Sequence, residues 1–378
     1  MNPNILKVSL VSYFISFSLS SIAASVSAPL YDNKRSYPVS LDENITAGVA
    51  LGDLDGDGDV DLIESNGRHW PHASYVYFNA DNRGFTSRQQ LGENHTTGYR
   101  VVLSDIDGDG DLDAVVAVDR LANQVHLNDG KGRFTEVKSF GEIQSNTRSV
   151  TVADVNGDGA MDVLEICRGT ANNIFLNDGK GGLNLASTFG QLSDSTLDVA
   201  VADMNQDGVN DLVLANRDGQ QNTVLMGLGN LKFAEPLVYA TAKHDTRGVS
   251  VADMNGDGKL DIITANIGSP NVVYLNHGGG AFKAIQTFGG DSASYALAVA
   301  DLDGDGDQDV VVANNEHANE VYTNDGQGKL SLNVSFGNDE ADTYAISLGD
   351  VNGDGLIDIV TANSGDVNSV FFQLKARN

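Results

Sequence analysis

Short apolar runs alternate with tight polar turns along almost the whole chain. One kind of run has period two: residues 199–202, 249–252 and 297–300 are examples. In each, the residues two and four places before a following aspartate are Val, Leu or Ile. Those one and three places before it are slim, as with Gly52 and Ala50, Ala202 and Ala200, and Gly349 and Ser347. One bulky and one narrow face predict a strand packed close to a crowded axis. A second kind of run starts on an aspartate and is β-branched, as in residues 211–215, 261–265 and 309–313, too short for a helix. Two further runs flank turns such as Asn128-Asp129-Gly130, Asn177-Asp178-Gly179 and Asn324-Asp325-Gly326, which is hairpin chemistry. A large apolar residue follows the turn in six units (Phe85, Phe134, Leu183, Phe233, Phe282, Leu330) and is expected to pack between units.

These four runs recur as a unit. The motif Asp-x-Asp/Asn-x-Asp-Gly-x-x-Asp begins at Asp53, Asp105, Asp154, Asp203, Asp253, Asp301 and Asp350, with gaps of 52, 49, 49, 50, 48 and 49 residues. Seven four-stranded units without helices between them predict an all-β fold, a seven-bladed β-propeller with antiparallel blades. The chain ends favour a ring over a solenoid. The last unit stops after its third strand, at residues 370–374, whereas residues 36–41 match a fourth strand. Closure by pairing the N-terminal strand with the C-terminal blade follows.

Within the motif, alternate acidic residues converge on one point, and the glycine at its sixth position permits a sharp turn. Hard oxygen ligands in that spacing suit Ca²⁺. The expected side-chain ligands are Asp53, Asp55, Asp57 and Asp61; Asp105, Asp107, Asp109 and Asp113; Asp154, Asn156, Asp158 and Asp162; Asp203, Asn205, Asp207 and Asp211; Asp253, Asn255, Asp257 and Asp261; Asp301, Asp303, Asp305 and Asp309; and Asp350, Asn352, Asp354 and Asp358. Up to seven structural calcium ions are expected. Asp59, Asp111 and Asp307 add charge at the seventh position and should tighten loops one, two and six, while Gln206, in place of glycine, should weaken loop four. An EF-hand is excluded, because a strand rather than a helix follows each loop and no Glu stands at position 12.

The formal net charge is −29, and 27 of the 52 acidic residues lie in the seven loops. That balance argues against nucleic acid as a partner. Residues 1–28 read as a secretory signal cleaved between about 23 and 28: Lys7 is the only charge in the first 31 residues, and an apolar, serine-rich run follows. Residues 29–378 would then be the propeller, extracellular or periplasmic, and no later run suits a membrane span. Cys167 is the only cysteine, so no internal disulfide is possible, and it is expected to be buried.

The loops, the Ala-Asn pairs at residues 215–216, 265–266, 313–314 and 362–363, and the Phe-Gly pairs at 140–141, 189–190, 288–289 and 336–337 resemble the FG-GAP/VCBS repeats of integrin α-subunits and many secreted bacterial proteins. That resemblance implies calcium loops on one face. The opposite face then gathers seven of the twelve arginines, five of the seven histidines and the only Trp. Its candidate ligand residues are Arg68, His69, Trp70, His72, His95, Tyr99, Arg100, Arg148, His244, Arg247, Tyr295 and Tyr344. Tyr99, Arg148, Arg247, Tyr295 and Tyr344 each stand six residues before their loop's first aspartate and should surround the mouth of a central channel. Aromatic faces stack on sugars, and guanidinium forks hold carboxylate or sulfate. The leading expectation is a lectin-like or adhesive module for a glycan or an acidic extracellular protein ligand. A polysaccharide lyase is the second, with His69, His95, His244 or Tyr99 as base and Arg100, Arg148 or Arg247 as charge neutraliser. A structural or assembly subunit is the third. No catalytic motif fixes an enzyme.

Overall fold

The computed structural model describes residues 28–240 and 242–375, so the expected signal segment up to residue 27 lies outside the described residues. Apart from one 3-10 turn at Asn33–Arg35, every regular element described is a strand. No described helix is long and apolar enough to cross a membrane. Unit two shows the pattern. Gly98–Ser104, Asp113–Val118, Asn123–Asn128 and Phe134–Phe140 form an antiparallel meander, with the aspartate loop joining the first two strands. Its hairpin turns at Gly130, where φ is 68°, a value that glycine adopts without steric cost.

The architecture is a β-propeller of four-stranded antiparallel blades, but not the seven separate sheets expected from the repeats. Five four-stranded sheets stand alone, and the strands of units five and six form one eight-stranded sheet. The join is a single pairing, Ile267 with Ala293. Isolated bridges occupy the same place between other units, at Asp119–Asn146, Arg168–Ser195 and Asn315–Asp342. Units five and six merge because both partners lie inside their strands, Asp261–Ile267 and Ala293–Ala300, whereas Asn315 of the equally long Asp309–Asn315 faces Asp342, one residue short of Thr343–Gly349.

Unit seven takes its fourth strand from the other end of the chain. Ser36–Pro38 pairs with Ser369–Phe371, Ser36 facing Phe371 and Pro38 facing Ser369. Just before it, Tyr31 is fully buried, and its hydroxyl donates to the Ile357 carbonyl at 2.6 Å. The first strands of the units lie innermost. Each packs on those of its neighbours, and Thr343–Gly349 of unit seven packs on Thr46–Gly52 of unit one.

The core is divided into clusters shared by adjacent units. Ile63, Val76 and Leu91 of unit one pack with Val101, Val116 and Phe134 of unit two. Val351, Val360 and Val370 of unit seven pack with Val49, Leu62 and Tyr77 of unit one. The post-turn residues Phe85, Phe134, Leu183, Phe233, Phe282 and Leu330 all sit in or against such clusters. Apolar area removed from water between units, at about 25 cal/mol per Å², is what joins one unit to the next.

Two tiers of asparagine struts add direction to this packing. Asn123, Asn172, Asn271 and Asn319 open the third strands of their units, and Asn222 and Asn368 stand one residue before theirs. Each accepts a backbone N–H from the end of strand two. Each also donates to the next unit, at Glu165, Thr196, Thr246, Ser294, Thr343 and Thr46. At the other end of the third strand, Asn79, Asn128, Asn177, Asn276, Asn324 and Gln373 donate to the second-position carbonyl of the preceding unit's aspartate loop. Unit four has Gly227 at this place, and Asn210 donates to the Asp154 carbonyl at 2.9 Å instead.

Candidate functional site

The aspartate loops share one construction. In loop one the Asp53 carboxylate accepts the N–H groups of Gly56 and Gly58, at 2.8 and 3.0 Å. The ninth-position aspartate braces the loop from inside. Asp61 accepts the N–H of Leu54 at 2.9 Å and that of Asn79 at 2.8 Å, and it is fully buried, as are its six counterparts. Burial is the main reason its carboxyl is pushed up to about 7, and those of Asp113, Asp309 and Asp358 to about 6. Neighbouring loop aspartates push the same way.

Three loops bring three carboxylates within 4.8 Å of one another: Asp53, Asp55 and Asp57; Asp105, Asp107 and Asp113; Asp301, Asp303 and Asp309. In the other four loops the third position is Asn156, Asn205, Asn255 or Asn352, a neutral oxygen donor. Each accepting oxygen keeps a second lone pair, so an all-oxygen donor set of this kind fits a hard divalent cation. The Asp59 carboxylate accepts the Asn82 N–H at 3.2 Å, and so is turned toward the hairpin. Gln206 adopts the left-handed φ of 63° that glycine takes in the other loops, and its amide donates to the Gly258 carbonyl of loop five at 2.7 Å.

About six residues along the inner strands from the loops, at roughly 3.3 Å per residue, lies the opposite face. The residue six places before each loop is Ala47, Tyr99, Arg148, Leu197, Arg247, Tyr295 or Tyr344, and all of these line one cavity of about 330 Å³ between the inner strands. Above it, a mouth of about 150 Å³ adds Arg68, His69, Arg168 and Arg217.

Charge at the mouth is unevenly compensated. Arg148 is paired with the buried Asp119 at 2.6 Å, and Arg168 with Asp218 at 2.9 Å. Arg217 reaches the same Asp218 at 3.7 Å. Arg68 and Arg247 have no ion pair among the described residues. Both lie against the Tyr344 ring, 3.9 and 4.3 Å from its centroid, and Arg247 is also 4.1 Å from that of Tyr295. Arg68 donates to the Ser364 hydroxyl at 2.7 Å. Burial lowers the Arg247 pKa, and the Arg68 charge adds to the lowering. Burial raises those of the Tyr99 and Tyr295 phenols, and the Arg148 charge opposes it at Tyr99.

Seven of the twelve expected ligand residues converge here: Arg68, His69, Tyr99, Arg148, Arg247, Tyr295 and Tyr344. Arg100 lies deeper, lining the channel and paired with Asp198 at 2.7 Å. Trp70 is 71% exposed, and neither it, His72, His95 nor His244 lines the mouth. His72 pairs through its backbone with Thr96, and His244 approaches the Ser269 hydroxyl at 3.0 Å. Arg168 and Arg217 belong to the mouth although the register of the inner strands does not select them. Their position at the end of strand two was the available signal. Asp119 and Asp218 left none beyond adjacency to Arg120 and Arg217. Cys167 is fully buried, and its thiol is raised well above the usual range by that burial.

Among solved structures, the chain is similar to the N-terminal part of BBS1 in complex with ARL6, in two crystals soaked with mercury or lead. Both share 13% identity over 93% of this chain and 99% of that one, with TM-scores of 0.63 and 0.64. The WD40 β-propeller domain of Doa1 is similar at 13% identity, covering 90% and 98%, with a TM-score of 0.63. At these identities the likeness concerns the fold alone. No curated protein matches the sequence. The FG-GAP-like repeat model matches residues 53–116, 105–165, 203–264, 253–312 and 301–361, more than half the chain and five of its loop-to-loop spans. By its repeated aspartate loops and the blades that carry them, this chain belongs to the FG-GAP-like repeat family.

Proposed function

We propose that the chain is a secreted, calcium-stabilised propeller of seven blades closed into a ring, and that its channel mouth binds an anionic extracellular ligand, an acidic glycan foremost. The blade count is supported by the cycle of contacts among inner strands and by the Asn79 strut to Val351. Calcium is supported by the all-oxygen donor sets on one face. The carboxylates of the loops would hold the ion, and it would offset their mutual repulsion and so stiffen the ends of the inner strands. Secretion rests on the character of residues 1–28.

The observation that carries ligand binding is the pair Arg68 and Arg247. Two guanidinium groups flank one tyrosine ring, and neither forms an ion pair among the described residues, with Asp342 close enough only to feel the Arg68 charge, in a chain that carries a net charge of −29. Cations this close repel each other, and a bound carboxylate or sulfate would relieve both. The tyrosine faces beside them offer a sugar ring its stacking surface. Titration calorimetry with polygalacturonate, alginate, chondroitin sulfate and poly-glutamate, with calcium present, tests this. Binding to a uronate or sulfated polymer that weakens with salt is expected. Binding to poly-glutamate alone would move the ligand class to acidic protein segments. Binding to none would overturn the proposal.

A further inference from the structure

Asp119, His69 and Tyr99 form a hydrogen-bonded chain that ends at the mouth. His69 Nδ1 is 3.2 Å from Asp119 Oδ2, and Nε2 is 3.0 Å from the Tyr99 oxygen. Asp119 is 2% exposed and is held on its other oxygen by Arg148. An ionised carboxylate facing Nδ1 keeps the imidazole proton on that nitrogen, leaving Nε2 to accept from the phenol. The Arg148 guanidinium lies 4.8 Å from the Tyr99 ring centroid and favours negative charge on the phenol. Because burial raises the phenol's pKa, the proton leaves only if a base is already aimed at it, and His69 is. Tyr295 and Tyr344 pack on each other, with ring centroids 4.8 Å apart, and neither meets a histidine among the described residues. His69 comes from unit one and Tyr99 and Asp119 from unit two, so the chain of contacts crosses a boundary between units.

Resting on the anionic-glycan reading above, we propose that Tyr99 is the catalytic base of a β-elimination that cleaves a polyuronate at this mouth. Arg247 holds the uronate carboxylate, and His69 and Asp119 position and activate the phenol. In the step, the Tyr99 proton passes to His69, and the phenolate oxygen takes the proton from C5 of the uronate. The C5–H electron pair becomes the C4=C5 double bond, and the bond from C4 to the glycosidic oxygen breaks. The leaving oxygen takes a proton from Tyr99, and His69 returns its own to the phenolate. One polymer gives one unsaturated end and one new hydroxyl end, with no oxidant or reductant consumed. General-base catalysis of this kind is worth about 10²–10⁴ in rate.

The test follows binding by calorimetry and unsaturated product by ultraviolet absorbance, on polygalacturonate and alginate, with full-length mature protein in calcium. Wild type is expected to bind and to release unsaturated product. Tyr99→Phe, which keeps the ring under Arg148, is expected to bind within about twofold while turnover falls about 100-fold or more. His69→Gln is expected to lower kcat with KM little changed, as a positioning residue should. Melting temperatures of both variants confirm that they are folded. Binding without product by wild type would overturn the elimination and leave the binding reading standing, as would full turnover by Tyr99→Phe. Absence of binding would sink the binding reading first, and this proposal with it.

Discussion

The side-chain amide of Asn79 donates to the Val351 carbonyl at 2.8 Å, across 272 residues of sequence. The same amide group donates to Val60, and its oxygen accepts the N–H groups of Ala80 and Gly84. One buried side chain therefore ties the first unit's third strand to its own hairpin and to the last unit's aspartate loop. Asn79→Ala leaves the Val351 carbonyl and two turn N–H groups without partners. A loss of about 1–3 kcal/mol in unfolding free energy is expected for an unsatisfied buried group, read by urea denaturation monitored through circular dichroism. An unchanged midpoint would show that the first and last units are joined by their apolar cluster alone.

Repetition made the fold readable. The loops and the first two strands state the same unit seven times and the hairpin turns state it six times, and the spare strand at Ser36–Pro38 was visible because unit seven lacked one. The residues six places before each loop line one cavity, and each falls at a break in the register between the first two strands of its unit, such as Thr147/Ser149 and Thr246/Gly248. What the sequence did not disclose depends on pairs between units. The merging of units five and six turns on Ile267 and Ala293 both falling within their strands. The strut asparagines were visible as a recurrence, but their bonds to the neighbouring unit were not. Asp119 gains its meaning only because the packing of neighbouring units sets it beside His69 and Arg148, which lie 50 and 29 residues away in sequence.

Chelation should expose how much of the stability belongs to the loops. A ligand present at a hundredfold its Kd adds about 2.7 kcal/mol per independent site, so removing calcium should lower the melting temperature strongly and reversibly. In a graded chelator titration monitored by ion release, the loops starting at Asp53, Asp105 and Asp301 should empty last, since each gathers three carboxylates within 4.8 Å. A melting temperature indifferent to both chelator and added calcium would remove the structural role assigned to the metal.

His126 should set part of the acid limb of stability. It is 3% exposed, and burial depresses its pKa from 6.5 to about 4. Between those values the unfolded chain binds a proton that the folded chain refuses, so stability falls as pH falls through that window. Below about 4 both states are protonated and the difference is constant. His126→Asn should therefore flatten the pH dependence between about 4 and 6.5, by an amount on the order of 1–3 kcal/mol. Comparing both proteins in the same calcium buffer cancels the loop aspartates, which titrate identically in each. Parallel pH profiles would show that the ring is already protonated, or already solvated, in the native state.

Arg247 should show stability and binding moving in opposite directions. Its guanidinium is enclosed by Tyr295 and Tyr344 and shares the Tyr344 ring with Arg68, with no carboxylate partner among the described residues. Removing an enclosed, uncompensated charge and replacing it with an apolar chain of similar length is commonly neutral or stabilising. Arg247→Met should thus melt at the wild-type temperature or above it. The same change deletes the fork that would hold a ligand carboxylate, and a charge-assisted bond of that kind is worth about 1.5–3 kcal/mol. Affinity for a polyuronate should fall at least about tenfold, with a shallower salt dependence. A variant that loses stability and keeps its affinity would mean that Arg247 is a packing residue of the channel, and that the anion, if one binds, is held by Arg68, Arg168 and Arg217 at the rim.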